Sequence, residues 1–111
     1  MHNPQFLGAT DCKKGKEESA IIVLPVPFDL TSTWQKGADK GPQAIIDASP
    51  NLEFYDIETD SEVYKRGIYT ELPLVADTSE SMVDAVFNST KEHLEKDQMV
   101  VTLGGEHSVS L

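Results

Sequence analysis

Cysteine and basic residues are scarce in this sequence, and long apolar runs are missing altogether. A single cysteine, Cys12, excludes an internal disulfide and a cysteine-rich zinc module. No stretch approaches the roughly 20 apolar residues that a membrane span needs. The opening MHNPQFLGATDCKKGKEES holds no apolar core of a secretory leader. These absences point to the cytoplasm and to no membrane partner. Nine Lys and Arg against nineteen Asp and Glu leave a net charge of −10, the wrong sign for a chain that must neutralise nucleic-acid phosphates. Such acidity often serves solubility alone; it can also steer a cationic substrate inward. A length of 111 residues leaves room for one core, not two.

What is present reads as alternating elements. Residues 1–19 are polar, with Lys13, Lys14 and Lys16 followed by Glu17 and Glu18, and predict a mobile or loosely docked arm; residues 20–111 form one α/β domain. AIIVLPVP, residues 20–27, is short, continuous and β-branched, which suits a buried strand, with Pro25 and Pro27 making its end irregular. A polar loop over 28–42 leads into a short helix, PQAIIDAS, with Pro42 at its first position and Ser49-Pro50 ending it. The next stretch, from Asn51 to about Leu74, predicts extended segments with a turn near Thr59-Asp60-Ser61. A helix follows over 77–97, with Asp77 as cap and Glu80 completing a capping box. Its residues Val83, Val86, Phe87, Thr90 and Leu94 recur at helical spacing and should face the core. Lys91, His93 and Lys96 suit the dipole of its last turns. MVVTL, residues 99–103, is a second buried strand. The alternation predicts α/β with a mostly parallel sheet, the helices serving as crossovers.

The chemistry concentrates in Gly104-Gly105-Glu106-His107, directly after that strand. Ligands of open α/β sheets bind beyond the carboxyl ends of the strands. Two residues without Cβ permit a sharp turn with positive φ and close approach of the backbone to a ligand. A neutral imidazole there, His107, is a suitable ligand for a first-row divalent metal; a hydrogen-bonded structural histidine is the plainer alternative. Gly-Gly has neither the G-x-G-x-x-G dinucleotide pattern nor the Gly-Lys-Ser/Thr of a phosphate loop. His2 in the arm and His93 on the helix read as structural, and Cys12 as incidental. The carboxylates of DIETDSE lack the glycine and closing Glu of a calcium loop and read as a solvated turn.

Three segments, in order, resemble the ureohydrolases of the arginase/agmatinase family: VLPVPFDLTSTWQKGADKGPQAIIDAS, LEFYDIE and TLGGEHS. The last is similar to the family's first metal motif, Gly-Gly-Asp/Glu-His, in its agmatinase-like Glu form. The resemblance implies an incomplete three-layer αβα arginase-like fold with a mostly parallel sheet, truncated after that motif. It also implies a dinuclear Mn2+ hydrolase that releases urea and a primary amine from a small cationic guanidino substrate, with agmatine the leading candidate and putrescine the product. By motif match His107 is a metal ligand; Glu106 is carried over only to the second shell or the start of a helix. The family's remaining ligands come from Asp-x-His-x-Asp and Asp-x-Asp motifs that residues 1–111 do not contain. The expectation is therefore a fragment, inactive alone, of a homo-oligomeric enzyme. The alternatives are a non-catalytic oligomerisation or regulatory remnant, or a ureohydrolase acting on arginine, guanidinobutyrate or a formimino compound.

Overall fold

The computed structural model describes residues 4–8, 14–29, 37–105 and 109. Its centre is strand β1, Ile21–Val26, flanked by β2, Ile68–Thr70, and β3, Met99–Gly104, in the order β2-β1-β3. Both pairings are parallel, with Ile21 level with Ile68 on one side and Met99 on the other. Ile22 through Val26 are all buried. Since successive side chains alternate between faces, both faces of β1 are covered, the expected state of a parallel strand without polar residues. Burial of Ile22 or Leu24, each 0% exposed, contributes roughly 1.5–3 kcal/mol relative to exposure. Pro25 interrupts nothing. The β2 side has by then become irregular, and Leu74 N–H donates to the Pro25 carbonyl at 3.0 Å.

Helix α1, Gly41–Ala48, begins one residue earlier than expected, so Pro42 occupies its second position, still among the residues whose N–H has no partner in the helix. A 3-10 turn at Ser49–Asn51 ends it where Pro50 was expected to. The extended stretch after it is less regular than expected. It holds one isolated bridge, Asp56 with Ser61, around the anticipated turn, then a 3-10 turn at Val63–Arg66, and only Ile68–Thr70 as a strand. Asp60, inside that turn, has φ 50°, a conformation that Asp tolerates better than bulkier residues.

Helix α2 spans Ser79–Leu94 and is capped by Thr78, not Asp77. The Thr78 hydroxyl accepts the Ser81 N–H at 3.1 Å, and the Ser81 hydroxyl accepts the Thr78 N–H at 3.2 Å. This is a capping box with serine in place of the expected Glu80. The buried face is also rotated from expectation. Met82 and His93 are 1% exposed, Val83 and Val86 are half-buried, and Phe87 and Leu94 are 63% and 57% exposed. Met82 packs with Leu24, Val26 and Phe28, with Val83, Val86 and Val100 around them.

The described part of the N-terminal stretch is tied to this body. The Gln5 carboxamide pairs with the Thr70 backbone, accepting its N–H at 2.8 Å and donating to its carbonyl at 3.1 Å. Phe6 N–H donates to the Thr70 hydroxyl at 2.9 Å and Leu7 N–H to the Ser49 hydroxyl at 2.8 Å. Ser19, at the other end, is buried.

Candidate functional site

The strand order creates one crevice. From β1 the chain crosses to β2 on one side, and from β2 it returns past β1 to β3 on the other. The carboxyl ends of β1 and β3 are therefore neighbours whose outgoing connections diverge, the position where α/β sheets bind ligands. Three segments gather there. Val26 ends β1, and its carbonyl accepts both Phe28 N–H at 2.8 Å and Gly105 N–H at 3.1 Å. This doubled acceptor holds the chain leaving β1 against the chain leaving β3.

The contact is close enough to dictate a residue type. A Cβ on Gly105 would sit 2.2 Å from the Phe28 carbonyl oxygen and 2.9 Å from its carbon. No side chain fits, and the obstacle is backbone, which cannot swing aside. Gly104, the last residue of β3, is level with Val26, and its carbonyl lies 3.4 Å from where a Cβ on Gly41 would be. The start of α1 thus abuts the same rim. The glycines were expected to provide a positive-φ turn; the described glycines with positive φ are Gly8, Gly37 and Gly67. Close passage of two main chains is what the Gly104-Gly105 pair makes possible.

Asp29 lies at the same rim, half-buried, and its Oδ2 accepts the Gly37 N–H at 2.8 Å. Gly37 has φ 121°, open to glycine and little else. This bond fixes the two ends of the connection from β1 to α1. Glu106 and His107 lie outside the described residues, as do His2 and Cys12. Among the described residues no group of three or more His, Cys, Asp or Glu side chains is placed to hold a metal ion. Those residues alone do not fit a dinuclear metal centre, and no chemical step is assigned to them.

A second polar cluster, missed by the sequence reading, lies where α2 ends and β3 begins. His93 is buried, with Nδ1 2.7 Å from Gln98 Oε1 and Nε2 3.3 Å from Glu71 Oε2. The Gln98 amide nitrogen donates to the carbonyls of Lys16 and Ser19 at 2.7 and 2.9 Å, and Lys16 Nζ pairs with Glu71 at 3.0 Å. The hydrogen bond to Glu71 is the main cause that holds the Lys16 amine above its ordinary range, against a smaller opposing effect of burial. On the surface beside it, the hydrogen bond between Lys96 and Glu17 raises the lysine and lowers the carboxylate. The only sequence signal was a polar residue, Gln98, five positions after a histidine. The cluster joins the N-terminal stretch to the α2–β3 corner. His93 has both ring nitrogens engaged within the protein, the arrangement of a structural anchor.

No helix among the described residues is long and apolar enough to cross a membrane. Residues 19–111 match the Arginase family. The chain is 35% identical, over 99% of its length, to an N(1)-aminopropylagmatine ureohydrolase of Synechocystis, and covers 40% of that protein. It is 38% identical, over 85% of its length, to the enzyme of the same name from Thermus thermophilus, covering 33% of it. The crystal structure of the agmatine ureohydrolase of Thermoplasma volcanium superposes on 99% of the chain with a TM-score of 0.87 at 25% identity, and the chain covers 37% of that structure. The 111 residues thus span about two fifths or less of each of these relatives, and the chain belongs to the arginase family.

Proposed function

We propose that this sequence forms part of a metal-dependent amidinohydrolase that cleaves urea from an agmatine-type substrate. The observation that supports it most directly is the family match over residues 19–111, which includes a double glycine seated at the carboxyl-end crevice between β1 and β3. His107 is the proposed ligand of one Mn2+ ion, two residues past the point where Gly105 is held against Phe28. Glu106 is proposed to support that turn rather than bind metal. The guanidino end of agmatine is the group hydrolysed, leaving putrescine. The two curated relatives above favour the N1-aminopropyl derivative as a second reading, because their names specify it. Either substrate is a cation, in keeping with the net charge of −10.

The remaining ligands are proposed to lie in sequence that residues 1–111 do not contain, so the isolated chain should release no urea. Reading the encoding DNA beyond the Leu111 codon should reveal Asp-x-His-x-Asp within a few tens of codons. In the corresponding protein loaded with Mn2+, urea release should be fastest from agmatine or its aminopropyl derivative. Replacing His107 with Ala should cut that activity by about two orders of magnitude or more and weaken Mn2+ binding measured by titration. Full activity in the H107A protein, or urea release only from arginine, would overturn the assignment.

A further inference from the structure

The cluster at the α2–β3 corner holds a buried titratable group that the proposed hydrolysis does not use, His93, 1% exposed. Its neighbours dictate how many protons it carries. Gln98 Nε2 lies 2.7 Å from the Lys16 carbonyl and 2.9 Å from the Ser19 carbonyl. A carbonyl oxygen only accepts, so the Gln98 nitrogen must point at this pair and its oxygen at His93. His93 Nδ1 therefore carries a hydrogen, donated to Gln98 Oε1 over 2.7 Å. Nε2 faces Glu71 Oε2 at 3.3 Å, and that same oxygen takes the Lys16 ammonium at 3.0 Å. A carboxylate held by an ammonium stays ionised and offers only acceptors. Nε2 must then donate as well, since a bare nitrogen would turn its lone pair against a negative oxygen.

We propose that His93 is a buried imidazolium at neutral pH, and that it and Lys16 together clamp Glu71 so as to fasten residues 16–19 to the α2–β3 corner. Burial opposes the charge. Against that stand two hydrogen bonds from the cation, one of them to a carboxylate, and a chain of net charge −10. The other charged groups beside the clamp, Glu17, Glu92 and Lys96, pair with one another at the surface and leave one further negative charge there. Two different cations on one carboxylate make a fastener that opens in two stages as pH rises. The imidazolium gives up its proton first, and the Lys16 ammonium, held by Glu71, follows later. Each contribution is present below its own step and lost above it.

The test is made on the whole protein that carries these residues, with 15N-labelled histidine and the His93 signals identified by their absence from His93→Gln. At neutral pH both ring nitrogens of His93 should show directly bonded protons, whatever the activity of the protein. Glu71→Gln supplies an amide that can donate to a bare Nε2, so His93 should hold a single proton in that variant. Amide exchange at Glu18 and Ser19, both bonded to the Gly15 carbonyl, should then be about tenfold or more faster. Lys16→Met removes only the second cation and should leave both His93 protons in place. A bare Nε2 in the wild type or in K16M, two protons persisting in E71Q, or E71Q exchange equal to that of the wild type overturns the proposal; the wild-type spectrum decides it even if a variant does not fold.

Discussion

Along β2, a side-chain amide from residue 5 occupies the position a neighbouring strand would take, and Thr70 beneath it is fully buried. Along β3, twice as long, the outward backbone of three residues meets nothing among the described residues, and Met99 and Val101 stand exposed beside it. Both strands are parallel to β1 and read alike as apolar segments, so strand propensity does not separate them. What does is the treatment of backbone polar groups. Buried backbone N–H and C=O groups need partners, and on β2 the N-terminal stretch supplies them at Thr70.

The strongest way to break this comparison is to unseat β3 from its inner side. Gly105→Ala forces a Cβ into the Phe28 backbone. It should cost about 3 kcal/mol or more, seen as a lowered midpoint in urea unfolding, because neither main chain can move without disturbing the Val26 bonds. The next test compares the edges directly. Gln5→Ala removes the carboxamide's two bonds to the Thr70 backbone, for a loss of about 1–3 kcal/mol, whereas Met99→Ser on β3 should stay within about 0.5 kcal/mol. Equal losses at the two positions would mean that the edges are not energetically different.

The smallest effect concerns the Lys16 tie that holds the N-terminal stretch beside Glu71. Because the folded-state amine is raised above the ordinary lysine range, its contribution is fully present below that range and is lost as pH rises through the raised value. Lys16→Met should therefore flatten the fall in thermal midpoint between roughly pH 9 and 12, by about 2 °C. Below that window, near neutral pH, the variant should lie under the wild type by a nearly constant amount, because the contribution it removes is fully present there.

Much of this architecture was legible in the residues. The runs at 20–27 and 99–103 lie on β1 and β3, though β3 was expected to be buried and has Met99 63% and Val101 42% exposed, and the helix expected at 42–49 is α1 shifted by one position. What failed was local and has physical causes. Helical periodicity through Phe87 and Leu94 suggested the wrong face of α2, because the helix rolls so that His93 meets Gln98 and Glu71, partners far apart in sequence that no periodicity reports. The cap moved from Asp77 to Thr78 because Ser81 returns a hydrogen bond, and a hydroxyl at the third position is a weaker signal than the Glu80 beside it. The N-terminal stretch was expected to be mobile or loosely docked; how its described residues attach, through Gln5 and Thr70, 65 positions apart, is likewise invisible to local pattern. At the candidate site, the motif directed attention to the carboxyl end of β3. That Gly105 is required by Phe28 rather than by turn geometry depended on a contact between segments that sequence spacing does not report.

That contact has a practical consequence. At Gly105 the segment leaving β3 meets the segment leaving β1 through peptide units, since Gly105 abuts the Phe28 main chain. Residue 105 therefore tolerates no side chain, whatever apolar group packs at position 28 beside Leu24, Val26 and Met82. The double glycine thus fixes where the main chain stands at residue 105, the point from which any sequence attached beyond it must start.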